Sequence, residues 1–308
     1  MDIFLQQLIN GLTLGSVYAI VALGYTMVYG IIQLINFAHG EVVMIGAMVA
    51  FTVINLLAAN SALPPLVMLT LGIGIAIPVC MLVGYTLERF AYRPLRHAPR
   101  LAPLITAIGA SIVLQHVAMM VWSRNPLAFP QLIPNPVFPV AGATISLVQI
   151  VIIGTSVLMM AGLTLIVYRT RLGVAMRATS QNPHIAGLMG IDINWVIAAT
   201  FMLGAALAAV AGVMVGTYYG IAHYTMGSLL GLKAFAAAVL GGIGNLAGAM
   251  LGGMLLGIVE ALGAGYIGDL TNNVFGSNYQ DVFAFMVLIA VLVFRPSGLL
   301  GERVGDKA

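Results

Sequence analysis

Five polar or ionisable side chains stand inside apolar sequence, where chemistry is possible. Asn36, His39 and Glu41 interrupt the run GIIQLINFAHGEVVMIGA. A His and a Glu so placed can ligate a metal, relay a proton, cap a helix break or gate a path. Two ligands without a third nearby argue poorly for a metal, which favours a gate or a cap. Lys233 in GLKAFAAAVL and Glu260 in LLGIVEALG are flanked by apolar residues on both sides. A lone charge at the centre of a bilayer costs about 2.5–3.5 kcal/mol on insertion scales, so each needs a partner or a watery cavity. Either they line or gate a path, or Lys233 snorkels to an interface and Glu260 is an interhelical hydrogen-bonding strut. Pairing between them is open, because the sequence supplies no distance. His116 and His223 are isolated and His97 lies among arginines, so none is assigned chemistry. The lone cysteine, Cys80, sits in apolar sequence and excludes an internal disulfide or a Cys-based metal site. No nucleophile, metal or acid–base constellation for an enzyme is found, and no cofactor is expected.

A second kind of site is the polar, cation-bearing stretch 169–192, RTRLGVAMRATSQNPHIAGLMGID. Ser180 and Asn182 are N-cap residue types, Pro183 suits a first helical position, and Gly190 suits the position after a helix end. These signals predict a helix of about two turns, too short to be stable alone. Ile185, Leu188 and Met189 fall at i, i+3 and i+4 and share one face. Such a helix either docks its apolar knob in a partner's groove or belongs to a loop packed on its own bundle.

The elements that carry these residues follow from composition. With 61% hydrophobic residues, 7% charged residues and a mean hydropathy of +1.07 over 308 residues, the chain needs lipid as its solvent. A net charge of +3 concentrated in a few loops reads as membrane orientation, and no nucleic-acid partner is expected. The start MDIFLQQ lacks the cationic region of a signal peptide, so the first apolar segment is expected to be retained. Apolar runs at about 9–30, 42–58, 66–87, 101–122, 146–168, 195–217 and 282–294, with 228–268 split near Gly244, give an all-α bundle of eight or nine crossings. The segments 33–41 and 241–245 are turns or re-entrant breaks. Arginine-rich loops near 89–100 and 169–177 fall on one side, which the positive-inside rule makes cytoplasmic; Arg303 and Lys307 place the C-terminus there too. The proline-rich stretch 123–144 is expected to be an extended outer loop without helix and with little sheet. Gly204, Gly212 and Gly216, and likewise Gly253 and Gly257, form small-residue stripes for close helix packing. The whole chain reads as one membrane domain, with 169–192 as a loop within it.

Several long stretches match a known family in order: NGLTLGSVYAIVALGYTMVYGIIQLINFAHGE at 10–41, YRPLR at 92–96, RLAPLITAIGASIVLQ at 100–115, RLGVAMRATSQNP at 171–183, GLKAFAAAVLGGIGNLAGAMLGG at 231–253 and FRPSGLLG at 294–301. Together they resemble the LivH-type permease of bacterial branched-chain amino-acid ABC transporters. The resemblance implies an inner-membrane subunit paired with a second, related permease. It also implies two cytoplasmic ATP-binding subunits and a periplasmic binding protein that delivers leucine, isoleucine or valine. The sequence contains no G-x-x-x-x-G-K-[ST], and GSLLGLK at 227–233 has the wrong spacing for a P-loop, so ATP hydrolysis is expected in other subunits. Importer permeases of this class carry a coupling helix with the pattern Glu-Ala-Ala, three residues, Gly. Ala186 and Gly190 match it, whereas His184 and Ile185 depart, which removes an ion pair to the ATPase but keeps the apolar face. By this resemblance Pro183, Ile185, Ala186, Leu188, Met189 and Gly190 are the coupling residues. A urea or short-amide permease is the near alternative, although NFAHGE and GYTMVYG lie closer to the amino-acid branch. An ion-coupled transporter using Glu41, Lys233 and Glu260 is the distant one.

Overall fold

A computed structural model describes residues 2–96, 98–99, 101–140, 142–270 and 279–301. Its helices are α1 (Asp2–Ile32), α2 (His39–Asn60), α3 (Pro65–Thr86), α4 (Leu101–Val121), α5 (Leu147–Arg169), α6 (Arg171–Gln181), α7 (Pro183–Leu188), α8 (Ile193–Tyr219), α9 (Met226–Gly241), α10 (Leu246–Leu270) and α11 (Gln280–Phe294). Among the described residues seven helices are long and apolar enough to cross a bilayer, and α9 and α11 are shorter apolar helices. The chain is a multi-pass helical membrane bundle. Arg303, Lys307, His97, Arg100 and most of the stretch between α10 and α11 lie outside the described residues.

Helix α1 is the axis. Val17 to Leu23 are buried along it, and α10 packs on it through glycines. A Cβ on Gly15 would lie 2.8 Å from the Met254 Cα, and one on Gly257 would overlap the Gly15 backbone. A Cβ on Gly253 would lie 2.5 Å from the Ala19 Cα. On the other side α8 and α2 meet backbone to backbone, where a Cβ on Gly212 would run into the Val43 carbonyl. Gly216 lies under the Phe129 ring, at 2.7 Å from a built Cβ, whereas Gly204 faces Gly24 at an ordinary 3.5 Å. Dispersion between closely approached helices replaces the hydrophobic effect as the glue in lipid, and at Gly15, Gly212, Gly253 and Gly257 a Cβ would not fit between the backbones without a shift.

Two breaks shape the interior. After Ile32 the backbone turns at Gln33, a non-glycine residue with φ of 52°, and re-enters the bundle. Helix α2 starts at buried His39, whose ring lies against Gly24, roughly two turns inside the end of α1. The stretch 33–38 is therefore re-entrant. Between α9 and α10 the chain instead makes a tight turn with Gly242 at φ +107° and Gly244 at φ +98°. The segment after α11 straps onto that turn, with Leu299 N donating to Leu240 O at 2.9 Å and Leu300 N to Gly241 O at 2.9 Å.

Two features depart from the reading of the sequence. The proline-rich stretch holds strands: β1 (Leu127–Ala128) pairs with β4 (Ile221–Ala222), and β2 (Val137–Val140) forms a hairpin with β3 (Ala143–Ser146). Pro139 is tolerated because β2 is an edge strand, and Gly142 at φ +90° makes the turn. The polar stretch 169–192 contains a helix before the expected one. In α6 the Thr170 hydroxyl caps Gly173 N at 3.1 Å, the Arg177 guanidinium bonds the Val167 carbonyl, and Ser180 lies inside the helix instead of capping one.

Candidate functional site

At the α1–α2 break, Asn36 accepts three hydrogen bonds just before α2. Its Oδ1 accepts from Ala38 N at 3.2 Å and from the Tyr92 hydroxyl at 2.9 Å, and its carbonyl accepts from His39 N at 3.0 Å. Tyr92 in turn stacks on Phe201 of α8, with centroids 5.1 Å apart. His39 is buried edge-on against Tyr25 at 4.9 Å. Glu41 is buried too, and its Oε1 accepts from the Ser111 hydroxyl at 3.2 Å. His39 Nε2 and Glu41 Oε2 have no hydrogen-bond partner among the described residues. No three His, Cys, Asp or Glu side chains among those residues come together as a metal site. Gly40, between them, packs on Gly227 and Gly231 of α9.

Lys233 and Glu260 are brought together. Lys233 Nζ donates to Glu260 Oε1 at 2.7 Å, and the Tyr18 hydroxyl donates to Glu260 Oε2 at 2.9 Å. Lys233 does not snorkel; its side chain is 8% exposed and its ammonium lies 5.8 Å from the centroid of the Tyr18 ring. A third charge, absent from the reading of the sequence, completes the group. Asp281 Oδ1 lies 2.6 Å from Lys233 Nζ, in a direction outside hydrogen-bonding geometry. Asp281 was hidden because it ends a polar stretch that reads as loop, whereas it stands in the first turn of α11. The signal was its place directly before the last apolar run. Helices α1, α9, α10 and α11 thus share one cluster, in which two carboxylates face one ammonium. Tyr25 of α1 touches both the His39 ring and Phe235 of α9.

At the arginine-bearing end of the bundle, α7 has the expected local chemistry. Asn182 Oδ1 accepts from Ile185 N at 3.0 Å, Pro183 opens the helix, and Gly190 at φ +86° follows it. Ala186 is buried, while Ile185 is 55%, Leu188 74% and Met189 79% exposed. Asp192 then caps α8, accepting from Asn194 N at 2.9 Å and Trp195 N at 3.2 Å. The sequence did not reveal that Arg96 clamps this joint. Its guanidinium donates to Asn194 Oδ1 at 2.8 Å and forms an ion pair with Glu88, which is fully buried.

Comparison with known proteins places this arrangement. The family model described as branched-chain amino acid transport system / permease component matches residues 7–292. The chain is 52% identical over 308 residues to the high-affinity branched-chain amino acid transport system permease protein BraD of Pseudomonas aeruginosa, covering 99% of this chain and 98% of that one. It is 45% identical over 309 residues to the corresponding permease protein LivH of Escherichia coli strain K12, covering 99% and 97%. A probable LivH of Methanocaldococcus jannaschii is 27% identical over 297 residues, covering 93% and 89%. No solved structure matches. Full-length similarity at this level, joined to a multi-pass bundle with re-entrant backbone, shows that the chain belongs to the family of branched-chain amino-acid transport permeases.

Proposed function

We infer that the chain is the permease subunit through which an ATP-driven importer carries leucine, isoleucine or valine across the bacterial inner membrane. The observation that carries this reading is α7: a capped helix at the basic end of the bundle whose apolar side chains Ile185, Leu188 and Met189 are largely exposed among the described residues. The positive-inside rule makes that end, and with it the C-terminus, cytoplasmic. The partners are two ATP-binding subunits that receive Ile185, Leu188 and Met189, a second, related permease, and a periplasmic binding protein that docks on the outer loops, the β2–β3 hairpin included. ATP binding closes the ATPase pair and shifts α7; the paired permeases then open outward and take up the amino acid, and hydrolysis resets them. Asn36, His39 and Glu41 serve as the cap and gate of the re-entrant break, and Lys233 and Glu260 border the path.

The test is uptake into proteoliposomes that hold this chain with its candidate sister permease and ATPases, supplied with binding protein and internal ATP. Leucine uptake that needs every component is the expected result. Uptake by this chain alone under an ion gradient would overturn the ATP-driven reading, and ATP-driven uptake of urea without leucine would overturn the cargo.

A further inference from the structure

The buried charge cluster has a composition that its own residues do not explain. Among the described residues two carboxylates, Glu260 and Asp281, share one ammonium, Lys233, and a largely buried ammonium is costly without partners. The two bonds are unequal. Glu260 is 1% exposed and held by both Lys233 and the Tyr18 hydroxyl in proper hydrogen bonds. Asp281 is 33% exposed and touches Lys233 off the hydrogen-bond direction. Glu260 therefore fixes the ammonium, and Asp281 is the arm that can exchange partners.

Beside the cluster is an apolar recess between α1, α8 and α9, lined by Leu14, Val17, Tyr18, Val215, Tyr219 and Leu230. Tyr18 belongs to both, with its ring on the recess and its hydroxyl on Glu260. Leu230 stands one turn before Lys233 on α9, so the recess and the ammonium share a helix face. An apolar recess next to a separable cation and anion is the complement of a zwitterion with an aliphatic side chain.

We propose that Lys233 and Asp281, backed by Glu260, form the head-group site for an α-amino acid in transit. The substrate carboxylate takes Lys233, its ammonium takes Asp281, and its side chain enters the recess beside Tyr18. Inserting the zwitterion between the two arms leaves the net charge of the cluster unchanged: Lys233 is then shared by Glu260 and the substrate carboxylate, and Asp281 takes the substrate ammonium. The recess now holds about 10 Å³, room for about one water, so entry requires α9 to part from α1 and α8. This assignment rests on the amino-acid cargo inferred above and adds the residues that touch it.

The experiment uses the complete reconstituted importer with photo-leucine, whose side chain carries a diazirine. Binding protein delivers the probe during turnover, and adducts on the wild-type chain are mapped by mass spectrometry. Adducts on Tyr18, Tyr219 or Leu230 are expected; adducts confined to residues elsewhere would overturn the site, with no variant involved. In parallel, Asp281→Asn is expected to raise the KM for leucine, at fixed binding protein, by about tenfold or more, the loss of one charge-assisted hydrogen bond. An unchanged KM in Asp281→Asn would overturn the head-group assignment even if the recess is labelled. Failure of the wild-type complex to import leucine at all would refute the cargo instead.

Discussion

The double substitution Ile185→Asp with Leu188→Asp tests the α7 surface most directly. Both side chains are largely exposed, at 55% and 74%, so little of the permease's own packing is lost. Exposed substitutions of this kind change stability by about 0.5 kcal/mol or less. Docking is different. Full burial of a Leu or Ile side chain is worth about 1.5–3 kcal/mol, and scaling by the exposed fractions leaves roughly 2–4 kcal/mol available from the pair on docking. Carboxylates forgo that gain and add the cost of desolvation. The ATPase affinity should therefore fall by at least about 30-fold and up to several hundred-fold. The assay is co-purification in detergent followed by titration of ATPase subunits onto immobilised permease, with permease melting as the control for folding. Because Ile185, Leu188 and Met189 carry no charge, wild-type docking through this face should also change little between low and moderate salt. A double variant that melts like wild type yet binds ATPase equally well would refute α7 as the docking helix.

Two further perturbations read the scaffold. Gly257→Leu forces a side chain into the Gly15 backbone, whereas a Cβ on Gly204 meets nothing closer than 3.5 Å; the first should lower the melting temperature in detergent and Gly204→Ala should leave it nearly unchanged. Equal effects would show that the glycine stripes do not set helix spacing. Arg96→Ala leaves Glu88 buried without its cation and should cost about 3–5 kcal/mol, and adding Glu88→Gln should restore much of it. Additive losses in the double variant would show that the pair is not coupled.

The bundle was legible because hydropathy over about 20 residues is a property of composition that no tertiary contact can reverse. The α7 boundaries were legible for a related reason: Asn182, Pro183 and Gly190 act within one turn of where they stand. Helix α6 was not, since its polar residues imitate a loop and its stability comes from the Thr170 cap and the Arg177 bond to the end of α5. The β2–β3 hairpin was missed because proline density is a local signal, while tolerance of Pro139 depends on β2 being an edge. In the charge cluster, the energetic demand for a partner at Lys233 and Glu260 could be read from the sequence. Asp281 could not, because only the packing of α11 against α9 and α10 brings it within reach of the ammonium.

The polar groups also form a chain of contacts from the basic end to the interior. Asp192 and Asn194 lie at the joint after α7, and Arg96 ties Asn194 to Glu88 at the end of α3. In the same turn Tyr92 holds Asn36, which stands just before α2, and Gly40 in α2 abuts Gly227 and Gly231 of α9. Lys233 is on α9 just beyond Gly231, with its ammonium shared between α10 and α11. These contacts are backbone approaches and polar bonds, buried at Tyr92–Asn36 and exposed at Arg96–Asn194. If α7 is the coupling helix proposed above, its displacement is expected to pass along these contacts to α9 and to the Lys233–Asp281 ion pair.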